Sequence, residues 1–104
     1  MKLWRMFIKK TTEQREHKPK HSVIKIKYDT GFTNSLYIRG SGGGLNWDKG
    51  ILMENRGADE WVWETADSCK GVEFKVLIND ACYEEGSNHL IESGSEISYT
   101  PKFE

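Results

Sequence analysis

The sequence predicts an all-β fold, an antiparallel β-sandwich. Three observations carry that reading. Apolar residues recur with a period of two in several short runs, as half-buried strands require. Gly, Asn, Asp and Ser punctuate those runs at turn-like spacing. No stretch after residue 22 sustains a helical period. Seven or so strands of this kind bury their apolar faces as two packed sheets.

The first strand is SVIKIKY, with Ile24, Ile26 and Tyr28 on one face and Lys25 and Lys27 on the other. Asp29-Thr30-Gly31 reads as the turn into a strand at SLYIR, residues 35–39. EWVWET at 60–65 alternates again and places Trp61 and Trp63 on one face, toward the core. VEFKVLI at 72–78 sets Val72, Phe74, Val76 and Ile78 against Glu73, Lys75 and Leu77. Asn79-Asp80 is the next turn, and short strands are expected near 81–84, 87–91 and 95–100. Ahead of these elements, residues 1–21 form a basic leader, in which residues 4–16 suit a short helix limited by Pro19. The sandwich domain is read as 22–104.

A chain of 104 residues accommodates one core. A net charge of -1 gives no electrostatic reason to expect a nucleic acid partner. No apolar run is long enough to span a bilayer, and MKLWRMFIKK lacks the features of a secretory signal, so no membrane partner is expected and the expected location is cytoplasmic. On that basis Cys69 and Cys82 are expected as free, buried thiols rather than a disulfide.

Several chemistries are weak on residue grounds. The run SGGG at 41–44 lacks the Gly-Lys-Ser/Thr ending of a phosphate loop and reads as an adaptable turn. His17 and His21 are separated by Pro19 with no third ligand, and His89 stands alone, so neither a metal nor another cofactor is expected. Glu84 and Glu85 would point to opposite faces of a strand, so they do not flank one bond, and a catalytic reading with Glu84 as acid is the weakest.

What remains is a group of aromatic, amide and charged residues. Trp47 follows the glycine turn, and NDACYEEGSNH brings Tyr83, Glu84 and Asn88 close together after Lys75. Flat rings beside hydrogen-bonding groups suit a shallow sugar site, where the C–H face of a pyranose lies on the ring. The same rings could instead be packing residues, and residue chemistry alone favours that reading.

The order of motifs narrows this. LYIRGSGGGLNWDKG, EWVWET, VEFKVLIND, YEEGSNH and SYTPKF succeed one another between Leu36 and Phe103. In that order they resemble the starch-binding modules of carbohydrate-binding module family 20 and their glycogen-binding relatives. The resemblance implies an immunoglobulin-like Greek-key sandwich that binds α-1,4-glucan (starch, glycogen or maltooligosaccharide) without catalysis. It implies that Trp47 and Tyr83 are the stacking pair, with Lys75, Glu84 and Asn88 as polar neighbours. Tyr83 stands where the family has a tryptophan. Phe32 matches one aromatic of a second, weaker site, whereas Asn55 and Arg56 supply no second ring there. The implied partners are the glucan and an amylolytic or glycogen-metabolising enzyme acting in trans. The alternative is a protein–protein interaction domain on the same sandwich that has lost sugar binding.

Overall fold

The computed structural model describes residues 21–66 and 71–103, and nine strands run through them. They are β1 (Ser22–Lys27), β2 (Leu36–Ser41), β3 (Ile51–Leu52), β4 (Glu54–Gly57), β5 (Glu60–Thr65), β6 (Val72–Ile78), β7 (Cys82–Tyr83), β8 (His89–Ile91) and β9 (Glu96–Tyr99). No helix occurs among the described residues. The helix expected within residues 4–16, the rest of the leader up to residue 20, and Cys69 lie outside them.

One sheet has the order β9-β1-β5-β4. In the other, β3 pairs with β2 and β2 with β6, while β7 and β8 pair with opposite ends of β6. All pairs are antiparallel except one. β9 runs parallel to β1, matching Glu96 with Val23 and Tyr99 with Ile26. The chain crosses from β8 in one sheet to β9 in the other, and this sets the direction of the last strand. The period-two pattern is blind to such a crossing, because it reports faces and not directions.

The alternation read from the sequence becomes the core. Ile24 and Ile26 of β1 lie opposite Trp63 and Trp61 of β5, and all four are buried. Leu36 and Ile38 of β2 pair with Ile78 and Val76 of β6, and Phe74 and Val72 continue the inner row. Met53 and Ile91 complete this cluster, and Leu45, Ile97, Tyr99 and Phe103 pack against it. Fully burying each large apolar side chain stabilises the fold by roughly 1.5–3 kcal/mol, so the inner faces hold the two sheets together.

Two strands, β3 and β4, lie where no strand is expected from the residue pattern. Their two- and four-residue lengths and exposed positions leave no alternation to read. Leu77, read onto the outer face with Glu73 and Lys75, is nonetheless buried. Its cross-strand neighbours on that face are Tyr37 and Tyr83, whose rings flank it. Cys82 corrects an expectation: it is free but exposed, because β7 is a two-residue edge strand with both residues open to solvent.

Candidate functional site

The outer face of the β2–β6 sheet gathers most of the residues singled out from the sequence. Three features of the chain build it.

The glycine turn comes first. Gly42, Gly43 and Gly44 have φ values of 93°, 63° and 88°, a conformation that side chains with a Cβ avoid. A Cβ on Gly42 would also overlap the Gly71 carbonyl, and one on Gly43 would press on Trp63 and Thr65. The turn is thus seated tightly on the neighbouring strands. Leu45 N–H donates to the Gly42 carbonyl, Gly40 N–H donates to the Asn46 carbonyl, and Leu45 packs into the core. Trp47 follows directly and is half-buried.

The second feature is the β6–β7 turn. Asn79 and Asp80 both adopt left-handed conformations, with φ of 55° and 57°, which short polar residues tolerate best. The turn lays β7 back on β6, pairing Tyr83 with Leu77. Tyr83 is 42% exposed.

The third feature is Arg39, the outward residue of β2 opposite Lys75. Its Nε donates to Asp80 Oδ1 at 2.9 Å, and Nη2 donates to the Asp80 carbonyl at 3.2 Å. Nη1 donates to the Trp47 carbonyl at 3.1 Å and to the Tyr83 hydroxyl at 3.2 Å. One guanidinium therefore ties the Trp47 loop, the β6–β7 turn and the Tyr83 ring together. The hydrogen bond to Asp80 raises Arg39 above its ordinary pKa, and the same bond holds Asp80 below the usual carboxylate value, with Gly50 N–H assisting. The pair is ionised across the physiological range.

Lys75 stands beside this centre. Its Nζ donates to the Glu84 carbonyl at 2.9 Å and lies 5.9 Å from the Tyr83 ring centroid; the Arg39 guanidinium lies 5.7 Å from the same centroid. Like charges opposite each other across two strands are unfavourable. Here Asp80 and the electron-rich ring face offset the repulsion. Asn88 is exposed and donates to Glu73 Oε2 at 2.9 Å, on the same face as Lys75 two residues along β6.

Glu84 departs from the expected polar contact. It is 2% exposed. Its Oε2 accepts from Val76 N–H at 2.9 Å and from the Tyr99 hydroxyl at 2.8 Å, and Oε1 sits 3.0 Å from His89 Nε2. The His89 ring lies between Phe74 and Tyr99, with centroid separations of 5.2 and 4.4 Å. Burial, and then the Glu84 charge, push the Tyr99 phenol far above its usual pKa, so it remains a donor. The carboxylate thus points inward and joins β6, β8 and β9. Only its backbone carbonyl reaches the outer face, where it orients Lys75. Adjacent strand residues point to opposite sides, and Glu84 takes the inner one while Tyr83 takes the outer.

Phe32 lies elsewhere. It is fully exposed, at 102% of the reference area, on the β1–β2 loop. It borders a cleft of about 680 Å³ whose lining includes Asn34, Met53, Asn55, Ala58 and Trp61. Phe32 and Asn55, considered together from the sequence, do share this cleft. Trp61, otherwise a core residue, contributes an Nε1–H that is buried without a hydrogen-bond partner among the described residues. Buried donors are nearly always paired, so this one marks the cleft as chemically distinct from the flat outer face. Among the described residues no cluster of His, Cys, Asp and Glu is placed to hold a metal ion.

Arg39, Asp80 and Gly50 were not singled out from the sequence. Arg39 carries a signal, since it occupies the outward phase of the Tyr37–Arg39–Ser41 alternation. Asp80 reads only as a turn residue until the fold brings it to Arg39.

The fold and site define a small β-sandwich with a ring-bearing polar platform on one sheet. No protein-family model matches the chain, and no curated protein sequence matches it. Among solved structures it is similar to a glycoside hydrolase family 15 glucoamylase from Hypocrea jecorina, with a TM-score of 0.64 and 14% identity. The overlap takes in 80% of this chain and 17% of that one. At this identity the likeness shows the fold, and the chain spans only a small part of that protein's length.

Proposed function

We propose that this domain is a non-catalytic carbohydrate-binding module for α-1,4-glucan. The observation that carries the reading is the convergence of the Trp47 backbone carbonyl, from the loop before β3, and the Tyr83 hydroxyl, from β7, on one guanidinium at the outer face of a sheet. Lys75 and Asn88 stand on the same face as hydrogen-bonding groups. A glucan chain laid along this face would meet ring surfaces and donors within a few glucose units. The motif order resembles that of starch-binding modules, and a glycoside hydrolase contains a region of similar fold; both support a carbohydrate theme.

The Phe32 cleft is the second surface of this reading. Its exposed ring suits the C–H face of a sugar, and Asn34 and Asn55 in its lining offer amides to the hydroxyls. The glucan, or an amylolytic or glycogen-metabolising enzyme already on it, is the partner this function needs.

Titration with maltoheptaose or β-cyclodextrin, followed by amide chemical shifts, tests the proposal. Shifts are expected around Trp47 and Tyr83, with dissociation constants of roughly micromolar to millimolar, since a shallow site has few contacts to offset ordering costs. No response at millimolar sugar overturns it and favours a protein-interaction domain, for which Ile51, Leu52 and Leu90, 40%, 56% and 76% exposed, are the exposed aliphatic residues on this sheet among those described. Release of reducing sugar, lost in Glu84→Gln, overturns the non-catalytic part.

A further inference from the structure

Arg39 makes four hydrogen bonds through one planar group, more than the side chain of any residue read as a sugar contact. Its Nε and Nη2 are committed to Asp80, by side chain and by backbone. Nη1 is left for the two aromatic residues, and it donates to the Trp47 backbone carbonyl and to the Tyr83 hydroxyl. Asp80 in turn accepts from Gly50 N–H at 3.2 Å, which closes the loop that carries Trp47. A Cβ on Gly50 would overlap Asp80 Oδ1, so glycine is what lets the carboxylate reach into that loop.

We propose that Arg39, anchored by Asp80, is the positioning residue of the platform: it holds the Trp47 loop and the Tyr83 ring in register before ligand arrives. The proposal rests on the glucan-binding reading. The β2–β6 ladder fixes the strands, but among the described residues no backbone–backbone hydrogen bond gives the loop before β3 a link to the β6–β7 turn. The guanidinium supplies it. Its planar, forked donors can satisfy a carboxylate edge and two other acceptors at once, which an ammonium group cannot do with the same geometry. Because the Tyr83 oxygen accepts from Nη1, its own O–H proton is left to point outward as a donor to a sugar hydroxyl. Pre-organisation of this kind raises affinity by removing an ordering cost from the binding step.

A positioning role differs from a direct contact in its dependence on ligand length. Maltose is short enough to rest on one ring, whereas maltoheptaose can engage both. The test measures both affinities by calorimetry or amide shifts for the wild type, Arg39→Ala, Arg39→Gln, Arg39→Lys and Asp80→Asn. Thermal unfolding of each variant establishes that it is folded. Arg39→Ala is expected to weaken maltoheptaose about tenfold, the effect of losing one or two hydrogen bonds and the order they impose. Maltose affinity is expected to change less than about twofold. Arg39→Lys should not restore the difference, and Asp80→Asn should reproduce part of it. In a Tyr83→Phe background the Arg39→Ala effect should shrink, since the two share a bond.

Equal losses for both sugars, or none, in folded variants overturn the positioning role while leaving the glucan reading intact. Full rescue by Arg39→Lys also overturns it. If Arg39→Ala does not fold, Arg39→Gln, which keeps most of the stem, decides by the same ratio. A wild type that binds neither sugar overturns the function itself, a distinct outcome.

Discussion

The platform on the outer sheet and the cleft beneath Phe32 are both bordered by aromatic rings, yet they are held in opposite ways. The platform is flat and fully networked: Arg39, Asp80, Lys75, Tyr83 and Asn88 are each engaged in a hydrogen bond. The cleft is recessed, its ring at 102% exposure is held by nothing beyond its own loop, and its one buried donor is unpaired. Networked groups cost little to order on binding but gain few new bonds. The exposed ring of the cleft must be ordered on binding. On the proposed glucan-binding reading, the platform would hold a chain from the start and the cleft would add to a chain already held.

The sharpest way to break this comparison is Trp47→Ala. Loss of a central ring should weaken maltoheptaose by about 2 kcal/mol, about thirtyfold. Shifts at Asn34, Asn55 and Ala58 of the cleft should persist at high sugar. If cleft shifts vanish together with platform shifts, the two surfaces are one site.

Gly50→Ala should have a smaller effect without touching either ring. The added Cβ displaces Asp80, and through it Arg39, so maltoheptaose affinity should fall roughly fivefold while the cleft is unaffected. Unchanged affinity in a folded variant would show that the Asp80 anchor does not matter to the platform.

Acid should separate the two surfaces more gently. Asp80 has its pKa lowered from 3.8 by Arg39, so its contribution to the fold and platform is complete above that value and is lost as pH falls through the lowered one. Platform affinity is expected to be level from pH 7 down to the ordinary carboxylate value and to decline only below it, with the cleft shifts less affected. A calorimetric series over pH 3 to 7 checks this. Asp80→Asn should flatten the acid limb.

The mildest change is Phe32→Ala. Its ring is exposed, so the melting transition should move by no more than about 0.5 kcal/mol. Cleft shifts should shrink and total affinity fall by roughly threefold or less. A larger loss would promote the cleft above the platform.

Much of the fold was legible because strand burial repeats every two residues and is a local property. Ile24, Ile26, Trp61, Trp63, Phe74 and Val76 all lie in the core as their alternation required. The short edge strands β3 and β4 escaped because two to four exposed residues carry no such period. Of the candidate site, Trp47, Tyr83, Lys75 and Asn88 reach one face, and Phe32 and Asn55 meet at another. Glu84 turned inward and Cys82 outward because β7 is short and at an edge, where a neighbour in sequence says little about cover.

By itself the sequence determined two packed sheets, their inner faces and the turns between them, since those follow from alternation and from residues that tolerate left-handed backbone. Only the tertiary structure decided that Arg39 would meet residues 8, 41 and 44 positions away and bind Trp47, Asp80 and Tyr83 together. That meeting depends on strand order, on register and on which loop a glycine lets close. Such pairings are set by the whole sheet and leave no period in the chain to read.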